Sequence, residues 1–117
     1  MKVVGATEYA LVLYRGKLPK FRNMGEDGRR HMVFNWFDWR RDGGDIPKIH
    51  PSQKPISVLK RLIEIFSDPG DVVIDPCAGS GSTLRAAREL GRPSYGFEVS
   101  RDFYRAATEQ MLGKETE

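Results

Sequence analysis

The stretch "DPCAGSGST" (residues 75–83) gathers a carboxylate, a proline, a lone cysteine and two closely spaced glycines between an apolar run and a helix-like run. Gly79 and Gly81 allow a tight bend and let a ligand approach the backbone with no Cβ in the way. A turn at the carboxyl end of a strand, leading into a helix, lies where open α/β sheets bind ligands. A phosphate loop would need a lysine after the last glycine to neutralise the phosphates. Here Gly81 is followed by Ser82 and Thr83, which rejects that occupant. A dinucleotide loop would need a third glycine for close helix packing beside the pyrophosphate, and Leu84 stands in its place. Asp75, at the strand tip, would repel a pyrophosphate and attract a cation. S-adenosylmethionine, with an ammonium and a sulfonium centre, is a ligand of that kind.

A second acid supports the same chemistry. Glu98 follows Gly81 by 17 residues, at the end of "YGFEV", where a carboxylate can accept hydrogen bonds from both hydroxyls of a ribose. Phe97 and Val99 flank it and can pack against an adenine. The plainer alternative is a capping Asp75 and a solvent-facing Glu98.

The elements that must position these residues are legible in the second half of the chain. Pro55 can open a helix whose Leu59, Leu62, Ile63 and Phe66 share a face, and Asp68-Pro69-Gly70 ends it. "DVVID" (residues 71–75) is a buried-strand pattern, and "STLRAAREL" (82–90) a helix closed by Gly91. "SYGFEV" (94–99) is a second strand, and residues 101–112 a helix capped by Ser100 and ended near Gly113. Strands alternating with helices imply parallel pairing and an α/β layer architecture. Upstream, "EYALVLYR" (8–15) and "HMVFNWF" (31–37) are rich in β-formers and predict two strands, whereas residues 38–55 carry no periodicity and predict a loop.

Bulk properties bound the rest. A chain of 117 residues, 39% hydrophobic and 30% charged, suits one domain with one core. Within it we expect strands and loops over residues 1–48 and a cofactor-binding βαβα region over 49–117. Cys77 has no partner for a disulfide, and one Cys with His31 and His50 makes no metal-ligand cluster. No metal site is expected, and cysteine usage fits a reducing cytoplasm. The apolar stretch 9–14 is too short to span a bilayer. The net charge of +3 is uneven: residues 1–54 hold 11 Lys and Arg against 6 Asp and Glu, and residues 55–117 hold 8 against 10. A local basic excess can meet nucleic-acid phosphates, although at this size a solvated face is the commoner use. "FNWFDWRR" (34–41) interleaves aromatic and basic residues. Trp36 and Trp39 are expected to lid a small core, leaving Arg29, Arg30, Arg40 and Arg41 as candidates for phosphate contact.

With "IHPSQKP" (49–55), the amphipathic helix, "PGDVVIDPCAGSGST" and "GRPSYGFEVS" in that order, the chain resembles the carboxyl-terminal part of the bacterial and phage DNA amino-methyltransferases. These modify adenine N6 or cytosine N4, and the resemblance is to the circularly permuted group, whose cofactor motifs follow the catalytic motif. It is strong from Ile49 to about Leu112, while residues 7–19 look like a late strand of that fold. It implies a partial Rossmann-like methyltransferase fold with an incomplete sheet, S-adenosylmethionine as cofactor, and restriction-modification as the setting. By matching position, Asp75, Pro76, Cys77, Ala78, Gly79, Ser80, Gly81, Ser82 and Thr83 would form the cofactor loop, with Phe97, Glu98 and Val99 at the ribose and adenine. His50, Ser52 and Lys54 would close over the methionine end, Ser52 and Lys54 toward its carboxylate. Family members often carry an aromatic residue at the place of Cys77, which we read as a space-filling side chain because amino-methyl transfer needs no covalent enzyme intermediate.

One family feature is missing. Catalysis in these enzymes rests on an Asp/Asn/Ser-Pro-Pro-aromatic tetrapeptide that accepts from the exocyclic amine and stacks on the flipped base. This chain holds no Pro-Pro pair, so no catalytic residue is assigned, and by family order the tetrapeptide would precede Met1. A methyltransferase core also needs about seven strands, more than the two clear βα units and two or three earlier strands expected here. The chain therefore reads as a fragment, completed by a missing amino-terminal part or a partner chain, with a second copy of itself as another candidate partner. Double-stranded DNA would be the substrate of the complete enzyme. An inactive assembly module is the alternative, and a small-molecule or RNA methyltransferase would keep the same loop.

Overall fold

The computed structural model describes residues 8–17, 21–33 and 36–113. Their element order is α1 (Ile56–Phe66), β1 (Val73–Asp75), α2 (Ser82–Glu89), β2 (Ser94–Gly96) and α3 (Arg101–Ala106), which runs on into a π-helical turn, Ala107–Met111. This is the predicted rhythm, with shorter strands. Pro55 caps α1 rather than opening it.

β1 and β2 pair in parallel, with Val73 opposite Ser94, Ile74 opposite Tyr95 and Asp75 opposite Gly96. One face of this pair is covered. Ile56, Ile63, Ala86, Ala87 and Met111 form the buried cluster, and Val73 packs against it from β1. Ala86 and Ala87 are fully buried, and Lys60 of α1 pairs with Glu89 of α2 at 3.2 Å. Each fully buried Ile or Met contributes roughly 1.5–3 kcal/mol to holding the layers together. Arg92, itself buried, donates to Ser67 and to the Leu90 carbonyl, tying the carboxyl end of α1 to that of α2. The start of α1 is held from a distance: both oxygens of Asp42 accept from the Ile56 amide, at 2.9 and 3.1 Å. Among the described residues the opposite sheet face has no cover. Val72, Ile74, Tyr95, Phe97 and Val99 alternate outward and are all exposed.

The first half departs from the expected strands. Residues 8–14 carry no strand, and Leu11 is 89% exposed. The expected strand over 31–37 is absent at its described residues, with residues 34 and 35 outside them, as are Thr7, Leu18 and Pro19 of the expected late strand. β-formers make a strand only when another strand takes their amide and carbonyl groups, and among the described residues the one bridge here joins Met24 to Arg30. Residues 38–55 are loop, as predicted. Residues 21–23 dock on α1: Phe21 meets Phe66 edge-on at 5.4 Å, the Arg22 amide donates to the Ile65 carbonyl, and the Arg22 guanidinium pairs with Asp68. Trp36 is 68% exposed, and Trp39 is half-buried, so Trp36 lids no core. It lines an open hollow of about 530 Å³ together with Met32, Phe37 and the Asp27–His31 pair. The hydrogen bond from His31 holds the Asp27 carboxyl below its ordinary range.

Candidate cofactor site

The turn between β1 and α2 is fixed by short-range bonds. The Cys77 amide donates to Asp75 Oδ1 at 3.0 Å, the Ala78 amide to the Phe97 carbonyl at 2.8 Å, and the Gly81 amide to the Ala78 carbonyl at 2.8 Å. The carboxylate at the strand tip thus organises the first step of the turn, and the loop is laced to the end of β2. Gly79 and Gly81 adopt φ of 52° and 77°, a region that L side chains enter at a cost. They differ in surroundings. A Cβ on Gly79 would meet only the Cys77 carbonyl, at 4.0 Å, so the space there is open, while one on Gly81 would lie 3.3 Å from the Ala107 Cβ of the π-helical turn. Ser80 and Ser82 are buried and share a hydrogen bond between their hydroxyls at 2.7 Å. Pro76 and Cys77 are exposed, and Ala78 and Thr83 half-buried. At β2, Gly96 admits the turn: a Cβ there would lie 2.6 Å from Leu84 Cδ1 and 3.0 Å from the Ala78 Cβ.

Glu98 is brought to the same corner. Its Oε2 accepts from the Gly79 amide at 2.9 Å and its Oε1 from the Ser100 amide at 2.7 Å. The Ser100 bond above all holds its carboxyl below the ordinary range, with the weaker Gly79 bond acting the same way and burial opposing both. Phe97 and Val99 stand out on either side, Val99 fully exposed.

The "HPSQKP" segment arrives through His50. Its ring lies 4.5 Å from that of Phe103 on α3, and its Nδ1 accepts from the Ser52 amide. Accepting at Nδ1 places the proton of the neutral ring on Nε2. Ser52 is exposed and touches the site through this backbone bond alone. Lys54 turns elsewhere: its ammonium pairs with Glu8 at 2.9 Å.

Residues outside the expected set hold the segment in place. Gln53 accepts from the Ile49 amide and donates to the Pro47 carbonyl, closing the segment into a compact turn. Its place inside the quoted motif was the signal available for it. Phe103 could have been found as the apolar residue of the first turn of α3, and Ser100 was expected as a cap, which it is, accepting from the Phe103 amide at 3.5 Å. Asp42 had no sequence signal.

Set side by side with other proteins, the chain matches the sequence profile of the DNA methylase family over residues 6–109. It is 40% identical over 73 residues to a protein of Escherichia coli K12 named as a methylase, YubD, and 40% identical over 62 residues to the type II methyltransferase M.HindIII of Haemophilus influenzae. The aligned parts make up 62% and 53% of this chain but only 31% and 20% of those relatives, so the chain spans less than a third of their length. Among solved structures it superposes on M1.HpyAVI in complex with S-adenosylmethionine, with a TM-score of 0.51 and 34% identity over 53% of this chain and 30% of that one.

Proposed function

The chain belongs to the DNA methylase family, and we propose that within it the chain is the cofactor-holding part of an S-adenosylmethionine-dependent methyltransferase acting on adenine N6 or cytosine N4 of DNA. The carrying observation is the convergence, at the carboxyl ends of two parallel strands, of an open glycine turn, the Asp75 and Glu98 carboxylates and the His50 segment.

These residues suit the cofactor. The open space over Gly79 admits it, Glu98 keeps an acceptor position on each oxygen for a ribose diol, and exposed Phe97 and Val99 offer apolar surface to an adenine. Asp75 Oδ2 forms no bond among the described residues and faces the needs of a cationic methionine end. When bound, the group supplies an electrophilic methyl on sulfur. The residues of this chain would orient it, and the polar acceptor and stacking aromatic for the flipped base would come from further polypeptide.

The bare sheet face favours that completion. Parallel sheets are stable with both faces covered, and the outward apolar Val72, Ile74 and Tyr95, on or beside β1 and β2, await a cover. We assign it to the polypeptide that bears the catalytic tetrapeptide, which makes the isolated chain a binder and not a catalyst. DNA would approach the first half, where Arg29, Arg30, Arg40 and Arg41 form no ion pair among the described residues and Trp36 is free to stack. The likeness to the type II methyltransferase M.HindIII supports a restriction-modification setting for such an enzyme.

The reading is tested by measuring S-adenosylmethionine affinity for the chain and for Asp75→Ala and Glu98→Ala. Weakening in both is expected; unchanged affinity in both would overturn it.

A further inference from the structure

The acid expected to meet a ribose also accepts from two backbone amides. Glu98 spans from the crest of the glycine turn, through the Gly79 amide at 2.9 Å, to the start of α3, through the Ser100 amide at 2.7 Å. The flanks of the turn have their own anchors in the Ala78–Phe97 and Gly81–Ala78 backbone bonds. The crest has few. Gly79 occupies open space with no side chain to pack, and its amide is held by Glu98. Nineteen residues separate the two in sequence, so no local turn geometry enforces this contact.

We propose that Glu98 is a positioning residue for the glycine turn: its carboxylate ties Gly79 to Ser100 and sets the crest of the loop in its ligand-ready shape, in addition to any contact with a ribose. A carboxylate offers about four acceptor positions. Two are taken by the protein, and two remain, the number that a vicinal diol can use. One side chain thus serves the loop and the ligand together, and preorganising the loop lowers the ordering cost of binding. This role rests on the cofactor reading for its second half only, since both bonds of the clamp are made within the protein.

The test uses Glu98→Gln, which keeps size and hydrogen-bonding reach but replaces one acceptor oxygen with a donor that cannot receive an amide N–H. In the free chain, amide hydrogen exchange at Gly79 or Ser100 is expected to speed up about tenfold or more, as loss of a charge-assisted bond implies. Exchange at Ala86 and Ala87 in the core of α2 should stay the same, separating a loosened loop from a loosened protein. Glu98→Asp, too short to span both amides, should release one of them as well. The second readout is binding of a 2′,3′-dideoxy analogue of S-adenosylhomocysteine, which lacks the diol. Glu98→Gln should weaken it about tenfold if the loop is the lost element. Unchanged exchange at both Gly79 and Ser100 in the two variants would overturn the clamp, and so would undiminished binding of the analogue. Failure of the unsubstituted chain to bind either S-adenosylmethionine or the analogue would count against the cofactor reading, while the exchange data would still decide the clamp.

Discussion

Asp42 and Ile56 stand 14 residues apart, yet both carboxylate oxygens of the first accept from the backbone amide of the second, at 2.9 and 3.1 Å. Pro55, at the cap position before helix α1, has no side chain able to cap, so the acid from the preceding loop does what a local Ser or Asp usually does. It also brings a negative charge to the positive end of the helix dipole. Asp42→Ala is expected to cost about 1 kcal/mol of stability, read as a lower denaturation midpoint in urea with an unchanged slope, and Asp42→Asn should retain part of it.

Gly96 is where the loop and α2 press closest on the sheet. A methyl there would meet Leu84 Cδ1 at 2.6 Å and the Ala78 Cβ at 3.0 Å, so Gly96→Ala is expected to destabilise by about 1–3 kcal/mol through overpacking. The cost should shrink in a Leu84→Ala background, where the nearest atoms are gone. Equal cost in both backgrounds, measured by thermal or chemical unfolding, would contradict this packing.

The Glu98 bonds carry a pH signature. Its carboxyl is held below the ordinary value of about 4.5 by the Ser100 and Gly79 amides, so the unfolded chain takes up the proton first as pH falls. The stabilisation is fully present above that ordinary value and is lost progressively as pH drops through the lowered one. The midpoint difference between the chain and Glu98→Gln should therefore be constant from neutral pH to about pH 5 and narrow below pH 4.5. A difference that grew on acidification would have the wrong sign.

The outward indole of Trp36 separates a structural from a recognition role. With 68% of its surface exposed, Trp36→Ala is expected to change stability by less than about 0.5 kcal/mol. If the first half meets nucleic acid, Arg40→Ala and Arg41→Ala should each reduce the dependence of log affinity on log salt by about one for a lost phosphate contact, as followed by fluorescence anisotropy of a short duplex.

How much of this was legible follows the locality of the cause. The α1, α2 and α3 segments each carry apolar periodicity and stop signals within a single window, and the glycine turn and Glu98 carry their chemistry in their own types and spacing. What depends on distant partners did not show. The β-rich stretch at 8–14 finds no partner strand among the described residues, Lys54 reaches back 46 residues to Glu8, Asp42 caps a helix it does not adjoin, and Glu98 bonds an amide 19 residues away. The exposed Trp36 reversed the expectation that a large aromatic is buried, because a short first half with few packed partners has no core for it to close.

The central claim is that the turn over Gly79 and the Glu98 corner hold S-adenosylmethionine, and a titration followed residue by residue through backbone amide NMR shifts tests it most directly. Saturable shifts at Ala78, Gly79, Ser80, Glu98 and Ser100 are predicted with S-adenosylmethionine and S-adenosylhomocysteine, and none at those amides with NAD. No shift at these amides, or the largest shifts around the Trp36 hollow, would contradict it.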